Sequence, residues 1–180
     1  MTDSVSSFFL VDAHSDPVAV RIEGRASFQN CSCMKDFLEQ ILAAGKRHVV
    51  MDFRRCTSMD STFLGVLAGA AIQLRRQKPP GSLVLCRLGP RNLELVRNLG
   101  LDRLLIVDTG EPDVRLNPGQ ALSAGRVQNE VENARMVLEA HENLVAADAG
   151  NRARFQDVLT FLKQRVEPPK DPARGTDGSA

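Results

Sequence analysis

Val49-Val50-Met51-Asp52-Phe53-Arg54-Arg55-Cys56-Thr57-Ser58-Met59-Asp60-Ser61-Thr62-Phe63-Leu64-Gly65-Val66-Leu67 changes period partway along. Val49-Val50-Met51 is a short apolar run suited to a buried strand that ends near Asp52. From Leu64 the apolar positions recur at helical spacing, through Leu67, Ala68, Ala71 and Ile72 to Arg75. A loop therefore delivers Asp60-Ser61-Thr62 to the start of a helix.

The same alternation continues on both sides. Downstream come Leu83-Val84-Leu85, a helical pattern on Leu93, Val96 and Leu99, and then Leu104-Leu105-Ile106-Val107. Upstream, Phe8-Phe9-Leu10-Val11 and the alternating Val18, Val20 and Ile22 read as two strands around His14-Ser15-Asp16-Pro17. Phe37, Leu38, Ile41 and Leu42 place a helix within 34–44, stopped by Gly45. The order is ββαβαβαβ, an α/β fold with a mixed, mostly parallel sheet and helices packed on it.

Near residue 110 the texture changes. Residues 1–110 carry a net charge of +3 and 111–180 a net −2, with Gly110-Glu111-Pro112-Asp113 and Asn117-Pro118-Gly119 between the two textures. The expected organisation is a domain over 1–110, a linker over 111–120, a helical hairpin over 121–166 and a disordered tail over 167–180. Val127, Val131, Ala134, Leu138, His141 and Val145 form a narrow seam along the first hairpin helix. Phe155, Val158, Leu159, Leu162 and Val166 share one face of the second, and Asp148-Ala149-Gly150-Asn151 permits the reversal. The seam is suited to covering the chain's own domain or to a homodimer through the 127–145 helix.

Composition narrows the function. Over 180 residues, 23 Lys+Arg against 22 Asp+Glu leave +1, and the eight aromatics are all Phe, so neither the charge nor the stacking platform for nucleic acid is present. No run approaches the roughly 20 apolar residues of a membrane span, and a cytoplasmic protein with no membrane partner is expected. Cys31, Cys33, Cys56 and Cys86 read as reduced thiols, and neither they nor His14, His48 and His141 have metal-ligand spacing. Gly45-Lys46 lacks the earlier glycine of a phosphate loop, and no catalytic triad or cofactor motif appears. The expectation is a non-enzyme with no cofactor, no metal and no catalytic residue.

Asp60, Ser61 and Thr62 are good helix caps, which alone accounts for them. The same position exposes a hydroxyl in the positive field of a helix N-terminus, where a phosphate is well placed. Asp60-Ser61-Thr62-Phe63-Leu64-Gly65-Val66 resembles the Asp-Ser-Ser/Thr-Gly-Leu-Gly-Val signature of STAS domains, the bacterial anti-sigma factor antagonists. The resemblance covers about residues 5–108, including Val49–Asp52, Leu83–Leu85 and Pro90-Arg91-Asn92-Leu93 through Leu99-Gly100-Leu101.

It implies a STAS-like fold and a phosphorylation-controlled protein-binding switch. The unphosphorylated form would bind an anti-sigma factor that is also a serine-protein kinase. Phosphorylation at Ser61, with Thr62 as the alternative acceptor, would release that partner, and a PP2C-type phosphatase would reset the switch. Ser27, Asn30, Met59, Asp60, Thr62, Phe63 and Leu64 would line the partner surface. Phe63 stands where the family carries Gly, putting a large side chain beside the acceptor. Ser27 stands where many members carry Asp, and the hairpin of 121–166 lies outside the family domain. The alternative function is a STAS-type scaffold or dimerisation subunit that is not phosphorylated.

Overall fold

The structure, a computed structural model, describes residues 8–117, 119–123 and 127–167. The expected disordered tail falls, beyond Glu167, outside the described residues. The elements are β1 (Phe8–Asp12), β2 (Val18–Ala26), α1 (Cys31–Ala43), β3 (His48–Met59), α2 (Ser61–Arg76), β4 (Ser82–Cys86), α3 (Pro90–Asn98), β5 (Ile106–Asp108), β6 (Gln120–Ala121), α4 (Glu130–Ala147) and α5 (Asn151–Val166). The sheet runs β5-β4-β3-β2-β1-β6. Strands β2 to β5 pair in parallel, and β1 pairs antiparallel with both β2 and β6. This is the mixed sheet and element order read from the sequence, with β6 added at its edge.

Two boundaries differ from the sequence reading. β3 does not end near Asp52 but continues to Met59, because the second half of β2 pairs with it from Glu23↔Arg55 to Ala26↔Met59. The register shifts twice along that pairing, and exposed Arg54 and Arg55 hide the alternation that marks a strand. β5 starts at Ile106 rather than Leu104, since Leu101–Arg103 form a 3-10 turn whose Leu101 carbonyl accepts from the amides of Leu104 and Leu105. Gly100 enters that turn at φ +67°, a left-handed conformation that suits glycine.

The core lies between the sheet and α1 and α2, where Phe9, Ile22, Met34, Leu38, Met51, Phe53, Phe63, Leu64, Leu67 and Leu85 are buried. α4 lies on the far side of α2, so that α2 is sandwiched between the sheet and the hairpin. The hairpin therefore covers a helix of its own chain. Its inner face shares only Ala134 and His141 with the predicted seam: these are buried together with Met136, Ala140 and Leu144, while Val127 and Val131 are exposed. The helix begins only at Glu130, after an Asn129–Glu132 capping box that leaves Val127 outside it.

Glycine decides how closely α4 approaches. A Cβ on Gly65 would lie 2.2 Å from the Ala140 carbonyl oxygen, so hydrogen is the only substituent that admits the α4 backbone at this distance. Asn143 donates to the Gly65 carbonyl at 3.4 Å. At the turn between the helices, the buried Asn151 amide donates to the carbonyls of Leu99 and Leu144, which joins the hairpin to the end of α3.

All four cysteines are free thiols. Burial pushes Cys31 up to about 12 and Cys56 and Cys86 to about 11, with Cys33 raised as well. At pH 8 a thiol of pKa near 12 is roughly one ten-thousandth thiolate, the reactive form. A disulfide reagent at pH 8 is therefore expected to modify Cys31 only as fast as the chain unfolds, whereas all four thiols react at once in denaturant. Prompt labelling of Cys31 in the folded protein, read by mass spectrometry, would contradict its burial.

Candidate functional site

The site forms where β3 hands over to α2. Asp60 is the N-cap in extended conformation: its Oδ1 accepts from the Phe63 amide and its Oδ2 from the Phe28 amide, both at 2.9 Å. Its own amide donates to the Ala26 carbonyl, so this one residue ties the β2–α1 loop to the start of α2. Ser27 is buried and Asn30 half-buried, and both are engaged in that loop. The Ser27 amide donates to Asn30 Oδ1 at 2.9 Å, and Asn30 Nδ2 donates to the Arg25 carbonyl at 2.7 Å.

Ser61 is the first residue of α2 and is half-buried. Its neighbours turn inward: Thr62 is only 5% exposed, and Phe63 and Leu64 are fully buried. Thr62, Phe63 and Leu64, expected to line the partner surface, are thus buried within the chain, with Phe63 turned to Phe9 of β1. The Phe63 ring lies 5.7 Å from that of Phe9 instead of beside the Ser61 hydroxyl. Met59 and Asp60 remain half-buried at the surface, and Phe28, absent from the sequence reading, is 53% exposed next to Asp60.

Ser61 Oγ lies 3.1 Å from Nε2 of His141, a residue of α4 that is 4% exposed. Nδ1 of the same ring lies 2.8 Å from the Val137 carbonyl, which can only accept. Nδ1 therefore carries a hydrogen, and in the neutral ring the Nε2 lone pair receives the Ser61 hydroxyl. Phe155 of α5 meets the imidazole edge-on at 4.8 Å and fixes its other side. Beside this contact opens a groove of about 500 Å³, lined by Met59, Asp60 and Ser61, by Arg91 and Asn92 of α3, and by Arg154 and Phe155 of α5. Periodicity assigns His141 to the helix seam and no further. Its meeting with Ser61, 80 positions away, depends on how α4 docks and leaves no local signal.

Among the described residues, no group of three or more His, Cys, Asp or Glu is placed to hold a metal ion, and no helix is long and apolar enough to cross a membrane.

A parallel-centred sheet whose third strand feeds an Asp-capped, serine-led helix defines a STAS domain, and the family described as "Mlab, STAS domain" matches residues 9–107. The chain belongs to the STAS family, and carries α4 and α5 beyond the matched region. An anti-sigma factor antagonist from Mycobacterium paratuberculosis shares the fold, with 20% identity over 63% of this chain and 93% of that one, at a TM-score of 0.51. The Bacillus cell fate determinant SpoIIAA in its phosphorylated form is 18% identical over 56% of this chain and 91% of that one, at 0.47. The anti-sigma factor antagonist SpoIIAA in its unphosphorylated form gives 17%, 57%, 89% and 0.48.

Proposed function

We propose that this chain is an anti-sigma factor antagonist that works in the cytoplasm as a phosphorylation-controlled binding module. Unphosphorylated, it binds an anti-sigma factor that is also a serine-protein kinase. Phosphate on Ser61 ends that binding, and a PP2C-type phosphatase removes it. The observation that carries this reading is the placing of Ser61: its hydroxyl leads α2 at the mouth of a groove, whereas Thr62 is buried behind it. Ser61 is therefore the acceptor that a kinase reaches without unwinding the helix.

Membership of the STAS family and the exposed Phe28 beside Asp60 both support a protein partner at this end of α2. Phosphorylation adds about 1.5 to 2 negative charges at pH 7, next to the Asp60 carboxylate. A partner docked there meets like charge and loses desolvation energy; about 1.4 kcal/mol is already a ten-fold weakening.

The test is recovery of partners from a lysate of the native bacterium on wild-type, Ser61→Ala and Ser61→Asp baits, read by mass spectrometry. The first two are expected to retain an ATP-binding kinase and Ser61→Asp to lose it by ten-fold or more. Equal recovery on all three would overturn the switch.

The scaffold reading has its own observation, since Val158 and Phe161 are exposed on α5, at 40% and 55%. It expects a bound partner that is indifferent to residue 61 but lost from a Val158→Ser, Phe161→Ser bait.

A further inference from the structure

With the imidazole neutral, the hydrogen bond between Ser61 and His141 uses the hydroxyl hydrogen of Ser61. A phosphate ester on Oγ removes that hydrogen and sets acceptor oxygens where the lone pair of Nε2 now points. The imidazole cannot turn away, because the Val137 carbonyl holds Nδ1 at 2.8 Å and Phe155 abuts the ring edge-on at 4.8 Å. What can change at the ring is its protonation.

The charged groups around it are few. Asp60 stands on the α2 side with its carboxylate engaged by two amides. Arg91 and Glu94 of α3 and Arg154 of α5 line the adjoining groove. On α4, Glu142 is turned to Lys163 of α5 at 3.8 Å. Free histidine and the second ionisation of phosphoserine both lie near neutral, at about 6.5 and about 6, so a proton taken from solvent settles readily between them.

The geometry points to the α4–α5 hairpin as an intramolecular clamp for phosphoserine at position 61. On phosphorylation, His141 takes up one solvent proton at Nε2 and donates it to a phosphate oxygen, while Nδ1 continues to donate to Val137. Arg154 closes on the phosphate from α5. A neutral hydrogen bond is replaced by a charge-assisted one, so the modification tightens the hairpin on α2. The clamp rests on the reading of Ser61 as the acceptor, and it gives the two helices beyond the STAS domain a role, which is to keep the phosphorylated face closed.

The test installs phosphoserine at position 61 during translation of the full chain, so that no kinase is needed. Phosphorus NMR is expected to place the second phosphate ionisation at least one pH unit below the roughly 6 of free phosphoserine. The His141 ring is expected to titrate at least one unit higher than in the unmodified chain, and amide exchange along α4 to slow ten-fold or more. His141→Gln should move the phosphate midpoint back up toward about 6, leaving only the share that Arg154 holds. If that variant fails to fold, Arg154→Ala, a change at an exposed residue, should recover part of the shift.

A phosphate that titrates as the free amino acid while His141 is unmoved, or faster exchange of α4 on phosphorylation, would overturn the clamp. Loss of partner binding alongside a freely titrating phosphate would overturn the clamp alone. A clamped phosphate in a chain whose partner recovery is indifferent to position 61 would overturn the switch alone.

Discussion

Gly65→Val is expected to detach α4 from α2 and to lower stability by about 3 kcal/mol or more, at the upper end of what overpacking a close interface costs. The atoms that a Cβ would meet are backbone: the Ala140 carbonyl oxygen at 2.2 Å, its carbon at 2.5 Å and the Cα at 2.8 Å. No rotamer change relieves them, so the helix itself must move. Moving it breaks the Ser61–His141 and Asn143–Gly65 hydrogen bonds together and uncovers Met136, Ala140 and Leu144. Gly69→Ala is the matched control, since the atoms nearest its Cβ belong to the amide end of Asn143, which can swing aside at the loss of its hydrogen bond to Gly65 but without moving the α4 backbone. Urea denaturation gives the stability loss, and amide exchange over Ala134–Leu144 shows whether it falls on the hairpin. Protection of α4 unchanged in Gly65→Val would mean that the helix is not seated on α2.

That contact also explains which parts of the molecule can be read from its residues. The strand-to-helix passage at Val49–Leu67 is legible because large apolar residues mark both periods, and Asp60 and Ser61 stand at the helix start as good caps do. The docking face of α4 is not, because hydrophobic periodicity weights large side chains. It selects Val127, Val131 and Val145, whereas the closest approach is made by Ala140 against Gly65, the two smallest residue types. The length of β3 is hidden for a related reason: its second half is held by backbone pairing to β2 while Arg54, Arg55 and Thr57 face solvent. His141 lies in plain sight on the predicted seam, but what it touches is set by the docking of two helices and not by its neighbours in sequence.

Phe63→Gly would restore the residue that the family signature carries, and it is expected to be the most damaging single change at the site. Phe63 is fully buried at the third position of α2, its ring tilted at 32° against Phe9. Removing a buried phenyl group costs about 3–5 kcal/mol, because neighbours collapse only partly into the space. Glycine in place of alanine within a helix adds about 1 kcal/mol. The sum, about 4–6 kcal/mol, reaches the lower end of a domain's stability of about 5–15 kcal/mol, so the variant should unfold well before the wild type in a urea series. Phe63→Leu keeps most of the volume and should lose no more than about 1.5 kcal/mol. A Phe63→Gly protein with wild-type stability would mean that the ring lies outside, beside Ser61. With the ring inside, this chain has turned the family's glycine position into core, and the surface around Ser61 is left to Phe28, Met59 and the groove between α3 and α5.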